Sequence, residues 1–337
     1  MAAQPEAVRR PATTAAPEWL RRRGPGWRVV AGKEMAEGLT SLRFVVLLGL
    51  IALAAAGPVY AASAAIRDAA EGASEARAIF LALFTIGADP LPSFVAMVGF
   101  LAPLLGIAFG FDAINGERAQ GTLPRLLSQP IHRDDVINGK FAAGLGMVAL
   151  AITGVMLLVA GLGLIRLGVA PSLAEVARLV LWLVVTIVYV GLWLGFATLC
   201  SVLTRRAATS ALLAIGVWLA LSLFGVLVAR VVAGAIGPEA GNAVDALSRA
   251  QLEQQLSAIN PGTLYGQVTA ALLNPSQTSV TVPNLAQLIQ LSQQLPTQLS
   301  LQQSVLVAWP QIVILVAAMV ACFALAYVAF LRQEVRA

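Results

Sequence analysis

Six apolar stretches, each long enough to cross a bilayer, constrain this chain more than any other feature. They cover about 42–64, 92–112, 141–165, 176–203, 207–236 and 305–331. A helix needs roughly 20 apolar residues to span the hydrocarbon, and each stretch is too uniformly apolar to be an ordinary buried helix. Charge is correspondingly sparse. Charged residues make up 12% of the chain and hydrophobic residues 58%, where soluble domains carry about 25% charge. With a mean hydropathy of +0.82, the composition excludes a disordered chain and a nucleic-acid-binding module, and it argues against a soluble enzyme. The expected class is an all-α polytopic membrane protein with six transmembrane helices. A further apolar run, 78–87, is too short to span, so it is expected to lie on the outer surface or dip into it.

Basic residues set the expected orientation. Arg9, Arg10, Arg21, Arg22, Arg23, Arg28, Lys33 and Arg43 precede or edge the first span. Arg118, Arg125, Arg133 and Lys140 lie between spans 2 and 3, Arg205 and Arg206 between spans 4 and 5, and Arg332 and Arg336 after span 6. That places sixteen of the 22 Lys and Arg on one side. The acidic residues divide evenly, so the bias is carried by Lys and Arg, as the positive-inside rule requires. Both termini are therefore expected in the cytoplasm. The same placement explains the pI of about 9.8 without a nucleic-acid partner. Cys200, Cys322 and the single His132 do not have the number or spacing of a metal site.

No signal peptide is expected over 1–41, because no short apolar segment with a cleavage site follows the early arginines. Residues 1–26 read as a disordered cytoplasmic arm, Ala- and Pro-rich at its start. From 27 to about 41 an amphipathic helix is expected. Trp27, Val30, Ala31, Met35, Leu39 and Leu42 recur every three to four residues, while Arg28, Lys33, Glu34 and Glu37 fall mostly elsewhere. Such a helix suits the lipid interface. It reads either as an anchor for the first span or as an elbow that also touches a cytoplasmic partner.

The loop between spans 2 and 3 is the most informative segment. Gly121-Thr122 can open a helix, with Thr122 as N-cap and Pro124 tolerated in its first turn. Leu123, Leu126 and Leu127 would then share a face, Pro130 would end the helix, and 133–141 would start another that runs into span 3. Leucines aligned where lipid is absent suggest a knob that docks another protein.

The string GERAQGTLPRLLSQPIHRDDVINGKF resembles the signature of ABC-2 type transporter permeases, in particular the NosY-like branch. The resemblance extends to the elbow helix, the six spans and the inside termini. It implies that this loop holds a coupling helix at about 117–130 that docks on a separate ATPase subunit. It assigns that role to Glu117, Arg118, Gly121, Thr122, Leu126, Leu127, Pro130, Arg133 and Lys140. In the elbow it points to Trp27, Arg28, Lys33 and Glu34. The turn Arg205-Arg206 reads either as a positive-inside anchor or as a minor coupling contact.

The chain lacks GxxxxGK[ST], the backbone cradle for nucleotide phosphates. No cofactor is expected in it, and ATP and Mg are expected in the partner. Six spans are half the usual twelve, so the resemblance implies two copies of this chain with two ATPase subunits, in the cytoplasmic membrane of a prokaryote. The expected function is a permease subunit, with a lean to export. Two alternatives stay open: an ATP-independent secondary transporter or channel, and a scaffold that transmits motion to an extracytoplasmic partner.

Residues 237–304 form a long outer insertion, followed by the sixth span and a short tail, 305–337. The insertion holds twelve Gln between Gln251 and Gln303 and a single basic residue, Arg249. Leucines and isoleucines at helical spacing predict short helices that form a small cap over the spans. Thr186, Tyr189 and Trp193 read as packing residues or as the lining of a path between subunits.

Overall fold

The computed structural model describes residues 26–70, 79–87, 91–122, 132–238, 242–274 and 300–333. Everything regular among them is helical. The chain runs α1 (Gly26–Leu39), α2 (Leu42–Ala70), α3 (Ile79–Thr85), α4 (Phe94–Gly110), α5 (Asn115–Ala119), α6 (Arg133–Leu167), α7 (Leu173–Leu203), α8 (Ala207–Ile236), α9 (Ala243–Ser257), α10 (Pro261–Leu273) and α11 (Leu301–Arg332). Six of these, α2, α4, α6, α7, α8 and α11, are long and apolar enough to cross a membrane. The fifth expected span coincides with α8. The third expected span begins eight residues later than α6, whose 35 residues reach about 52 Å. That exceeds a hydrocarbon core of about 30 Å, and its polar start projects beyond the apolar slab.

Local signals set the helix starts. Ser172 caps α7, with its hydroxyl accepting from Glu175 N while the Glu175 carboxylate accepts from Ser172 N. Ser300 and Gln303 repeat the device at α11. Gly168 ends α6 at φ 67°, a left-handed position that glycine adopts without strain.

α7 is the hub of the bundle and touches α4, α6, α8, α10 and α11. Small residues allow that. A Cβ at Gly106 of α4 would lie 2.9 Å from Leu194 N, and one at Gly110 2.7 Å from Leu194 O, so the two backbones pass almost in contact. Hydrocarbon offers helices no net hydrophobic reason to associate. Close backbone approach and dispersion take over that role.

One expectation narrows and another needs correction. Of the two positions open to the run around 79–85, it does not take the surface one. Phe80, Leu81, Leu83 and Phe84 of α3 are buried, and Phe84 packs edge-on against Phe94 and Trp182. A helix only seven residues long buries this much because it is apolar on every side.

The insertion after α8 is helical, but α9 and α10 do not form a cap over the spans. α9 runs back down the side of α8, with Arg249 against Gly234, Glu253 bonded to Arg230, and Asn260 against Gly225. α10 then climbs beside α7, from Tyr265 at Thr186 to Leu272 at Arg178. The turn between them is level with Leu221, about 22 Å below the end of α8. Asn260 offsets part of the cost of backbone at this depth. Its carboxamide donates to Leu221 O at 2.8 Å and accepts from Gly262 N at 2.9 Å, so both ends of the side chain are used. The remainder of the expected insertion helices, 275–299, lies outside the described residues.

Candidate functional site

The motif residues converge at the end of the bundle that carries α1, α5 and the starts of α6 and α8, here the basic end. α4 stops at Gly110, and α5 follows after one turn. Gly121 closes α5 at φ 67°, with Gly121 N donating to Arg118 O at 3.1 Å and Thr122 N to Glu117 O at 3.0 Å. This is a Schellman ending. Gly121-Thr122 therefore stops α5, and the Thr122 hydroxyl is turned back onto the Glu117 carboxylate and carbonyl.

Glu117 meets two residues from distant segments. Lys140 Nζ donates to Glu117 Oε1 at 3.0 Å and to Glu34 Oε1 at 2.8 Å. The lysine side chain is 6% exposed, and its two carboxylates are 20% and 23% exposed. One ammonium thus ties α1, α5 and α6 together. A buried charge left without such partners would cost several kcal/mol.

Arg118 and Arg133 meet at the other side of α5, around Gln333, which follows α11. Arg118 donates to the Gln333 carboxamide oxygen, Arg133 donates to Gln333 O at 3.1 Å, and Gln333 Nε2 donates to Val202 O at 2.8 Å. Beneath them the Ser201 hydroxyl accepts from Ile114 N at 3.0 Å and Asn115 N at 3.1 Å, which fastens the start of α5 to α7. Arg43 clasps Asp112 at 2.7 Å and Ala108 O at 2.8 Å, locking α2 to the end of α4.

Of the expected docking residues, Glu117, Arg118, Thr122, Arg133 and Lys140 have their polar ends engaged within the chain. Leu126, Leu127 and Pro130 fall in 123–131, outside the described residues. The helix expected to follow Thr122 lies there too.

The residues expected to share the apolar face of the 27–41 helix are turned inward. Trp27, Val30, Ala31, Met35 and Leu39 are buried or half-buried, while Arg28, Val29 and Lys33 are exposed. α1 packs along α6, where Gly139 leaves room for the Trp27 carbonyl and Val30, and Gly146 for Met35. Leu42 departs from the expected stripe, at 77% exposed. Lys33 pairs with Glu37 at 3.5 Å on the outer face. Arg205 and Arg206 are both exposed in the turn before α8.

Thus the described residues on either side of 123–131 are fastened to the bundle, Glu117 and Arg118 before it and Arg133 after it. Residues 28–335 match the family described as ABC-2 family transporter protein. The chain belongs to the ABC-2 transporter family. Among curated proteins this ABC-2 protein is 27% identical over 195 residues to the probable ABC transporter permease protein NosY of Stutzerimonas stutzeri, covering 56% of this chain and 64% of the relative. It is 30% identical over 134 residues to the protein of the same name from Pseudomonas aeruginosa, covering 36% of this chain and 44% of the relative. The chain therefore spans less than two thirds of the length of these relatives. Family and six apolar helices together make it a multi-pass membrane protein and a membrane component of a transporter.

Several residues of the ABC-2 fastening were not found by sequence reasoning. Asp135 accepts from Trp27 N at 2.9 Å and from His132 N at 3.2 Å. A single carboxylate thereby serves the N-termini of both α1 and α6, where anions are favoured. Its place three residues into a helix that follows a proline was the readable signal. Gln333, Ser201 and Asn115 had none, because each acts on a helix far away in sequence. A polar cavity of about 810 Å³ opens beside the Lys140 cluster, lined also by Lys33, Glu37, Arg43 and Asp112. Thr186, Tyr189 and Trp193 are buried within the single chain and pack there.

Proposed function

We propose that this chain is the permease subunit of an ATP-driven exporter, with the basic end in the cytoplasm and the 117–140 segment as the place where a separate ATPase subunit docks. The observation that carries this reading is the fastening of the residues that flank 123–131. Glu117 and Lys140 link these flanks to α1 and α6, while Arg118 and Arg133 link them to α7 and α11 through Gln333. A push on 123–131 would therefore reach four helices at once. In this reading Glu117, Arg118, Thr122, Arg133 and Lys140 position the docking segment, and Leu126 and Leu127 touch the ATPase. ATP and Mg belong to that partner. A second copy of this chain completes the transporter, through the apolar faces that one chain leaves uncovered.

The test is co-purification of the tagged chain from native membranes in mild detergent, followed by mass spectrometry. A stoichiometric Walker-A ATPase is expected, and it should be lost when Leu126 and Leu127 are both replaced by Asp. A chain that purifies alone, or keeps its ATPase in that variant, would overturn the docking assignment.

A further inference from the structure

A cavity beside α10 has a lining that is chemically uniform in one respect: apart from tyrosine it contains no ionisable side chain. The cavity holds about 490 Å³ and lies between α4, α7, α8 and α10. That is within the usual range for a small-molecule site, roughly 300–1,000 Å³. Every wall comes from one chain. The rigid wall is the Tyr189–Tyr265 pair, stacked at 4.4 Å with an interplanar angle of 9°. Both hydroxyls are committed, Tyr189 to Gly99 O at 3.1 Å and Tyr265 to Thr186 at 3.0 Å. Two glycines shape the space. A Cβ at Gly99 would sit 3.1 Å from the Tyr265 ring, whereas at Gly266 nothing lies within 4 Å.

The remaining lining includes Thr85 and Asn260, whose polar atoms are bonded within the chain, with Thr269 and Asn274 beside them. Val95, Phe100 and Val226 are apolar, and Phe100 and Val226 are 42% and 46% exposed on the flank of the bundle, so the cavity opens sideways toward the apolar surroundings. Ser222 and Thr263 supply hydroxyls that make no hydrogen bond among the described residues. Serine and threonine inside helices commonly return their hydroxyl to the carbonyl one turn back; Thr186 and Thr198 do so in this chain. Unpartnered hydroxyls facing an apolar mouth offer two hydrogen bonds and no charge.

We propose that this cavity binds an uncharged amphiphile, one hydroxyl- or carbonyl-bearing head against Ser222 and Thr263 and one hydrocarbon tail leaving between Phe100 and Val226. A phosphate or ammonium head is disfavoured, because desolvating an ion here would find no counter-charge. The site is built inside a single protomer and needs no ATPase, so its test stands apart from the docking reading.

The probe is a monoacylglycerol carrying a photoactivatable diazirine in its acyl chain, added to the full-length chain in lipid nanodiscs and mapped by peptide mass spectrometry. Saturable labelling on α4, α8 or α10 is expected, competed by unlabelled monoacylglycerol but not by lysophosphatidic acid with the same tail. Gly266→Phe fills the cavity and should reduce labelling at least tenfold, while Gly216→Phe, an open position lower on α8, leaves it unchanged. Should Gly266→Phe not fold, Ser222→Ala with Thr263→Val preserves the shape and should weaken labelling severalfold. Labelling that does not saturate, is competed equally by the charged lipid, or persists in whichever of these variants folds would overturn the proposal.

Discussion

α7 and α8 are neighbours of almost the same length and apolar character, yet they live in opposite surroundings. Their mean hydropathies are 2.4 and 2.5, but 61% of the apolar window of α7 is buried against only 11% in α8. In water such a difference would be visible as a polar face. In a bilayer the outside is as apolar as the core, so leucine suits either side. α8 carries as many glycines and serine or threonine hydroxyls as α7, so what separates the two helices is which of these residues meet another helix closely. α7 offers Gly191 and Gly195 to α11, receives Gly106 and Gly110 from α4, and turns Ser201 onto the start of α5. α8 presents Leu212, Leu223, Phe224 and Val231 outward. Burial in this chain follows from how closely backbones can approach, and from which polar groups need partners.

The contrast extends to charge, where the largest effect is expected. Lys140→Met leaves Glu34 and Glu117 without the cation that bridges them, at a cost of roughly 3–5 kcal/mol. Denaturation in mixed micelles should show that loss, and adding Glu34→Gln and Glu117→Gln should return most of it. A Lys140→Met protein as stable as the parent would mean that the cluster is wet and its ions unimportant.

The backbone crossing comes next. Gly106→Leu pushes a side chain into the α7 backbone and should destabilise by about 3 kcal/mol, at the upper end for overpacking. Gly216→Leu on α8, with open space around it, should stay within about 0.5 kcal/mol. Equal thermal shifts for these two variants would erase the distinction between the helices.

A smaller loss is expected at the hydroxyl. Ser201→Ala orphans the amides of Ile114 and Asn115, for about 1–3 kcal/mol. Hydrogen exchange should locate the damage at 114–119, and protection unchanged there would show that water replaces the hydroxyl. The smallest effect belongs to the exposed pair Arg230–Glu253, 3.1 Å apart with the arginine 67% exposed. Arg230→Ala should change stability by less than about 1 kcal/mol, and less still in high salt. A larger change would indicate that the α9–α10 hairpin depends on that pair.

Much of the fold was legible because bilayer physics writes itself into composition. The run 207–236 became α8 residue for residue, and the start of α6 at Arg133 was readable from Pro130 and the polar residues after it. The elbow stripe was also legible, though not its destination. Periodicity identified Val30 and Met35 as one face, while Gly139 and Gly146, more than a hundred residues away, decided that the face would meet α6. The candidate site was legible as a motif and not as a geometry. Glu117 and Lys140 stood 23 residues apart as two charges in a loop region, and nothing in their spacing required one ammonium to hold both Glu117 and Glu34.

The sequence by itself determined that this protein has six apolar helices and that its basic residues gather at one end. Hydropathy and backbone stereochemistry are local properties, and they act wherever those residues stand. Only the tertiary structure decided which helix is the hub, that α9 and α10 descend and return beside the spans, and that Asp135, Ser201 and Gln333 fasten the motif. Those outcomes depend on shape complementarity and hydrogen-bond partners brought together across 65 to more than 200 residues of chain. No local pattern records them, because an apolar helix in an apolar medium looks the same from either side until another backbone comes close enough to choose.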